Sequence, residues 1–256
     1  MGEAPGNRQR EIAALQRGID LGMTLIDTAE MYGEGAAEEL IGEAIQGRRQ
    51  DVFLVTKVYP HNATRKGAVA ACERSLRRLR AESIDLYLLH WRGSVPLSET
   101  LDAFAELKRA GKIGSYGVSN FDTSDMEEAG GLPQGAGIET DQILYNLTRR
   151  SVEPDLLPWL RNHHVPVMAY SPVEQGRLLH NKDLAGIAKR RAVKPAQMAL
   201  AWLLAQPDVI AIPKSADVKH VEENRAAADL ALTADDLAAL DRAFPRPKKR
   251  KPLEMI

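Results

Sequence analysis

The stretch TLIDTAEMYG, residues 24–33, is an apolar, β-branched run that ends in an acid, Asp27, with a phenol, Tyr32, shortly after it and Gly33 behind. Such a strand is buried along its length and polar at its C-terminal end. Six more runs repeat the design: VFLVTKVY (52–59), IDLYLLHW (84–91), IGSYGVSN (113–120), ETDQI (139–143), PVMAYSP (166–172) and VIAIPKS (209–215). Several are apolar on both faces, as parallel strands covered by helices must be.

Helical patterns lie between them. NRQREIAALQRGIDLG carries Ile12, Leu15 and Ile19 at helical spacing, and ATRKGAVAACERSLRRL follows the second strand. LSETLDAFAELKRAG reads as a helix with Ser98 as N-cap and Gly111 just past its end. DMEEAG, EPDLLPWLRNH, DLAGIAKRR and PAQMALAWLLAQ follow, Pro195 suiting a first turn. DVKHVEENRAAA and TADDLAALDRAF come last, Thr233 capping the second. Alternation of strand and helix means βα units and a parallel sheet, either closed into a (β/α)8 barrel or doubly wound. No run has the GxGxxG fingerprint of a Rossmann unit. No composition break divides the chain, and GGLPQGAG (130–137) reads as a surface connection, so one domain over 1–256 is expected.

The runs end in Asp27, Lys57, His90, Ser119 and Asn120, Gln142, Tyr170 and Ser171, and Lys214 and Ser215. Any one of these is most simply a polar residue leaving the sheet for solvent. Together they suit a common site, because a barrel gathers its strand ends on one face. Lys57, inside an apolar run, is costly to bury unpaired, and Asp27 is its natural counter-ion. A cation beside a phenol stabilises the phenolate, which readies Tyr32 as a general acid. His90 is placed to donate a hydrogen bond to a carbonyl oxygen held beside the Tyr32 hydroxyl.

IDTAEMYG, VTK, LYLLHW, GVSN, AYSP and IPKS…EEN, in that order, resemble the aldo-keto reductases from about residue 10 to the C-terminus. The resemblance implies an α/β fold of the (β/α)8 TIM-barrel type. It implies an oxidoreductase that transfers hydride from NADPH to an aldehyde or ketone, Tyr32 giving the proton. Asp27, Tyr32, Lys57 and His90 fall on the family's catalytic positions. Ser119, Asn120 and Gln142 match positions that bond the cofactor carboxamide, and Tyr170 the ring that stacks on the nicotinamide. Ser171, with Val173, Gln175, Gly176 and Leu178, matches pyrophosphate contacts. Lys214 and Ser215 match groups at the 2′-phosphate, and Glu223 and Asn224 residues near the adenine. His220 stands where the family often has an arginine. Histidine lacks arginine's bidentate, permanently charged fork, so NADH stays an alternative to NADPH.

The family opens with a hairpin and a first barrel strand, whereas this chain opens with MGEAPGN, which has no apolar run. Seven strands are therefore expected where the barrel has eight, leaving two edges with unpaired backbone groups. A downstream start or a truncated variant is the favoured explanation, with low stability and reduced cofactor affinity expected. Direct closure of the two edge strands, or a gap left open or filled by a neighbouring chain, are the others. The alternative function is a weak or inactive cofactor-binding barrel, serving as pseudoenzyme or sensor subunit.

The rest of the sequence mainly excludes. A formal net charge of −1 in 256 residues gives no basic surface for nucleic acid or an anionic membrane. No apolar run is long enough to span a bilayer, and the N-terminus lacks a signal peptide's apolar core, so a cytoplasmic location is expected. The single cysteine, Cys72, lies in a helical pattern and reads as a buried thiol. His163 and His164 lack partners at metal-ligand spacing, and no metal is expected. His61 reads as a loop residue, whereas Trp91, Tyr59 and Met31 suit an apolar rim for a small carbonyl substrate. The basic tail PRPKKRKPLEMI reads as solvated and too short for a long lid, which suggests an open mouth and broad specificity.

Overall fold

Seven strands alternate with helices in the computed structural model of the protein, which describes residues 1–2 and 5–256. Two units divide the chain: Met1–Thr140 with Ser215–Val221, and Asp141–Lys214 with Glu222–Ile256. In the first, β1 (Leu25–Asp27), β2 (Phe53–Val58), β3 (Ile84–Leu89) and β4 (Ile113–Ser119) pair in chain order, all parallel. The register sets Asp27 opposite Val55 and Val58 opposite Leu89. In the second, β6 (Val167–Tyr170) pairs in parallel with β5 (Ile138–Leu144) through residues 141–144, and with β7 (Val209–Ala211). The α/β class and the seven strands agree with the sequence reading.

Amphipathic spacing builds the helices of the first unit. In α1 (Arg8–Asp20), Ile12 packs against Leu40 and Ala44 of α2 (Ala36–Ala44), with Leu15 at the margin. Gly42 lets α2 approach α3 (Arg65–Leu79), since a Cβ there would meet the backbone of Leu79 at 2.7 Å. Thr64 caps α3 by accepting from the Gly67 N–H, and Cys72 lies buried within it as expected. Leu97–Arg109 forms α4 and Thr123–Gly130 forms α5, whose Asp122–Asp125 capping box satisfies two orphan donors. Leu156–Asn162 is α6, Lys182–Arg190 α7, Pro195–Leu204 α8, Val218–Ala226 α9 and Ala234–Ala243 α10, the last capped by Thr233.

Several local expectations change. The α2 segment was not among the helices read from the sequence. Ser98 lies inside α4, whose N-cap position is Pro96, while Gly111 does take the left-handed conformation past its end (φ 70°). The strand β7 is three residues long rather than seven, and Ile210 on it is 41 % exposed, so it is not covered on both faces. In the opening MGEAPGN, where the sequence offers no strand, residues 3 and 4 lie outside the described residues, and Pro5–Asn7 is a 3-10 turn ahead of α1.

Candidate active site

Four of the sequence-predicted residues meet in the first unit. Asp27 ends β1, Lys57 sits one residue before the end of β2, and His90 directly follows β3. The link from β1 to α2 brings Tyr32 back over Lys57. That link is short and bent: Tyr32 N–H donates to the Ala29 carbonyl at 3.1 Å, and Gly33, Glu34 and Gly35 take φ of 57°, 52° and 96°. Glycines at two of these three positions adopt the left-handed backbone without a Cβ penalty.

The Lys57 side chain is fully buried. Its ammonium has three protons, and three acceptors receive them: Asp27 Oδ2 at 2.7 Å, the Thr28 carbonyl at 2.8 Å and the Tyr32 hydroxyl at 3.3 Å. The ammonium also lies 4.9 Å from the centroid of the Tyr32 ring. Burial alone would drive the proton off Lys57. The Asp27 carboxylate beside it, with Tyr32, outweighs that effect and holds the lysine above its ordinary value. Because the phenol oxygen accepts from Lys57, its own proton is directed elsewhere.

His90 is 8 % exposed and packs edge-to-face on Tyr32, with ring centroids 5.6 Å apart. Burial, aided by the Lys57 charge, lowers it to about 3, so the imidazole is neutral at physiological pH. Its Nδ1 is buried with no hydrogen-bond partner among the described residues. Trp91 lies 4.8 Å from the His90 ring and 5.8 Å from that of Tyr59, which in turn lies 4.6 Å from His61. Met31 on the same link is 38 % exposed. Sequence reasoning set His61 aside as a loop residue; its ring is part of this aromatic row.

The remaining candidates are spread over both units. Ser119 ends β4, and the Asn120 amide donates to the His90 carbonyl and to Ser119 Oγ, both at 3.1 Å, from a left-handed backbone (φ 59°). Ser215 and Asp217 form a tight turn before α9, which carries the exposed His220. In the second unit, Gln142 is buried in β5 and Tyr170, half-buried, ends β6. The 171–178 segment then turns through positive φ at Ser171, Glu174, Gln175 and Gly176. Glu174 anchors it, accepting from Arg149, Arg177 and Asn146. Burial opposes the charge of Glu174, but those donors hold its carboxyl down at about 2. Lys214 is exposed. Glu223 is engaged by the Lys194 ammonium, a partner the sequence did not suggest. Within the first unit the Ser119 hydroxyl and the Asn120 amide are of the kind that bonds a nucleotide's amide, and within the second the half-exposed Tyr170 ring is of the kind that takes its flat ring.

Three further participants escaped the sequence reading. The Thr28 carbonyl is backbone and carries no side-chain signal. Glu38 is fully buried, accepting from Thr56 Oγ1 at 2.6 Å and Arg78 Nε at 2.6 Å, and so braces the residue next to Lys57. Glu30, an acid inside the buried end of the first run, could have been found by the same argument that paired Asp27 with Lys57. Among the described residues no cluster of histidine, cysteine and acidic groups could hold a metal, and no helix is long and apolar enough to cross a membrane.

Residues 2–244 match the model of the aldo/keto reductase family. Over its whole length the chain is 49 % identical to methylglyoxal reductase YeaE of Escherichia coli (strain K12), covering 92 % of that protein. It superposes with a TM-score of 0.98, at 48 % identity, on an aldo/keto reductase from Klebsiella pneumoniae crystallised with NADP and acetate, covering all of this chain and 92 % of that one. A second Klebsiella pneumoniae aldo-keto reductase structure, in complex with NADPH, matches equally, with a TM-score of 0.98, 48 % identity and the same coverage. The likeness bears out the TIM-barrel-type fold read from the sequence.

Proposed function

The chain belongs to the aldo/keto reductase family, and from that premise we propose that it reduces a small aldehyde or ketone with NADPH, Tyr32 giving the proton. The observation that carries this reading is the triple engagement of the buried Lys57 ammonium by Asp27, Thr28 and Tyr32. The cofactor, when bound, supplies a hydride to the carbonyl carbon. Lys57 stabilises negative charge as it grows on the phenol oxygen, and Asp27 keeps Lys57 charged while that happens. Tyr32 places its proton on the carbonyl oxygen. Neutral His90 orients that oxygen by donating from its ring, a role its low proton affinity favours over acid catalysis.

Ser119, Asn120, Gln142 and Tyr170 would hold the nicotinamide, Ser171 and Gln175 the pyrophosphate, and Lys214, Ser215, His220, Glu223 and Asn224 the adenosine end. The NADP- and NADPH-bound relatives support NADPH over NADH. The similarity to a methylglyoxal reductase supports a small α-dicarbonyl as substrate, and Tyr59, Trp91 and Met31 would form the rim that receives it. Four groups in working contact do not favour an inactive barrel or sensor subunit.

Loss of NADPH absorbance on adding methylglyoxal tests the reading. Turnover by the intact protein and its loss in Tyr32→Phe are expected. NADPH binding without turnover, against methylglyoxal and a panel of aldehydes, would overturn it.

A further inference from the structure

Glu30 lies two residues ahead of Tyr32, and the reaction just described does not use it. It is 7 % exposed. Its Oε1 accepts from the Tyr59 N–H at 2.8 Å and from Asn62 Nδ2 at 3.0 Å, and its Oε2 receives Arg74 Nη2 at 3.3 Å. Its own N–H donates to the Lys57 carbonyl at 3.3 Å. One residue thus joins the link after β1 to β2, to the turn Pro60–Asn62 and to α3.

The rest of the link is held differently. Thr28 is tied to β2 by its N–H to the Val55 carbonyl and by its carbonyl on Lys57. Beyond Thr28, the bonds of Tyr32 N–H to Ala29 and of Glu34 N–H to Met31 fold the segment on itself. They do not fasten it to β2. Apart from the Tyr32–Lys57 contact, Glu30 fastens it, by its N–H to the Lys57 carbonyl in β2 and by its carboxylate to Tyr59 just past β2, to Asn62 and to Arg74. A side chain of this length suits the task because its end reaches Tyr59 and Asn62 with one oxygen and Arg74 with the other.

We propose that Glu30 is a positioning residue for proton transfer: its buried carboxylate pins the turn so that the Tyr32 hydroxyl stays on Lys57, and fixes the same turn to the backbone of Tyr59 in the pocket rim. The inference rests on Tyr32 as the proton donor. A displacement of about an ångström in such a contact costs on the order of a hundred-fold in rate.

The test uses the full chain with NADPH and methylglyoxal, comparing wild type, Glu30→Gln, Glu30→Asp and Tyr32→Phe. Gln keeps an oxygen within reach of Tyr59 N–H and Asn62 Nδ2, and loses the charge and the acceptor that Arg74 uses. Asp keeps the charge and withdraws the reach. Glu30→Gln is expected to hold kcat within about three-fold of wild type, and Glu30→Asp to lose about ten-fold or more, with the KM for NADPH unchanged. The solvent deuterium isotope effect on kcat should rise in Glu30→Asp, because proton transfer becomes more rate-limiting. A lower melting temperature in Glu30→Asp with wild-type kcat and isotope effect would overturn the proposal, leaving Glu30 a stabilising residue only. Turnover that follows charge, with Asp at least as active as Gln, would overturn it as well. If Tyr32→Phe matches wild type, the failure lies in the proton-donor reading; if Tyr32→Phe is inactive and Glu30→Asp is not, it lies in the role of Glu30.

Discussion

Lys57 donates to the Tyr32 hydroxyl oxygen across 3.3 Å from a side chain with no solvent exposure. A buried ammonium next to a phenol has to be held against its own desolvation, and the 2.7 Å contact with Asp27 does so. Lys57→Met tests the pair. It strips the phenol of its cation and leaves Asp27 without its partner. Breaking such a pair from one side costs about 3–5 kcal/mol, and turnover should fall about a hundred-fold or more. Denaturant unfolding and NADPH oxidation measured on the same preparation check both effects.

The state of His90 carries a pH signature. Its proton affinity is lowered to about 3 in the folded protein from an ordinary 6.5. Above pH 6.5 the ring is neutral in both folded and unfolded chains. Below it the unfolded chain binds a proton that the folded one refuses, so the stability contribution is full above 6.5 and is lost as pH falls from 6.5 towards 3. Melting temperatures at pH 7.5 and 5 should fall further for wild type than for His90→Gln. Equal falls would remove His90 as the cause.

Cys72 should be inert while the protein is folded. It is buried, and burial pushes its thiol up to about 12, so little thiolate exists near neutrality. A thiol reagent should label it only after denaturation. Rapid labelling of the native protein would contradict this placement.

Thr233 accepts from the Asp236 N–H while Asp236 accepts from the Thr233 N–H, a reciprocal cap on α10. Thr233→Ala should cost about 1 kcal/mol, read as a lowered unfolding midpoint with unchanged turnover.

Much of this was legible in the sequence because burial forces apolar runs to be continuous, and a charge at the end of such a run must find a partner. Asp27, Lys57 and His90 stand out for that reason, and Thr233 does so as a cap with its acid three residues on. What escaped depends on contacts that no spacing encodes. Ser98 has the side chain of a cap, but Pro96 already starts the helix there. The α2 segment follows three left-handed residues, and its apolar stripe of Leu40, Ile41 and Ala44 is broken by glycine and the buried Glu38. Glu38 looks like a surface acid until Thr56 and Arg78 are seen to close on it. The Thr28 carbonyl belongs to the backbone and could be found only from structure. Glu223, a match to an adenine-side position, proved to be held by Lys194.

We propose that the Tyr32 phenol hands its proton to the carbonyl oxygen as hydride arrives. Single-turnover stopped-flow of NADPH-loaded Tyr32→Phe with methylglyoxal measures it most directly, because it separates chemistry from cofactor exchange. NADPH affinity close to wild type, with the reduction step slowed by about a hundred-fold or more, is the expected result. A reduction step at the wild-type rate would rule out Tyr32 as the proton donor.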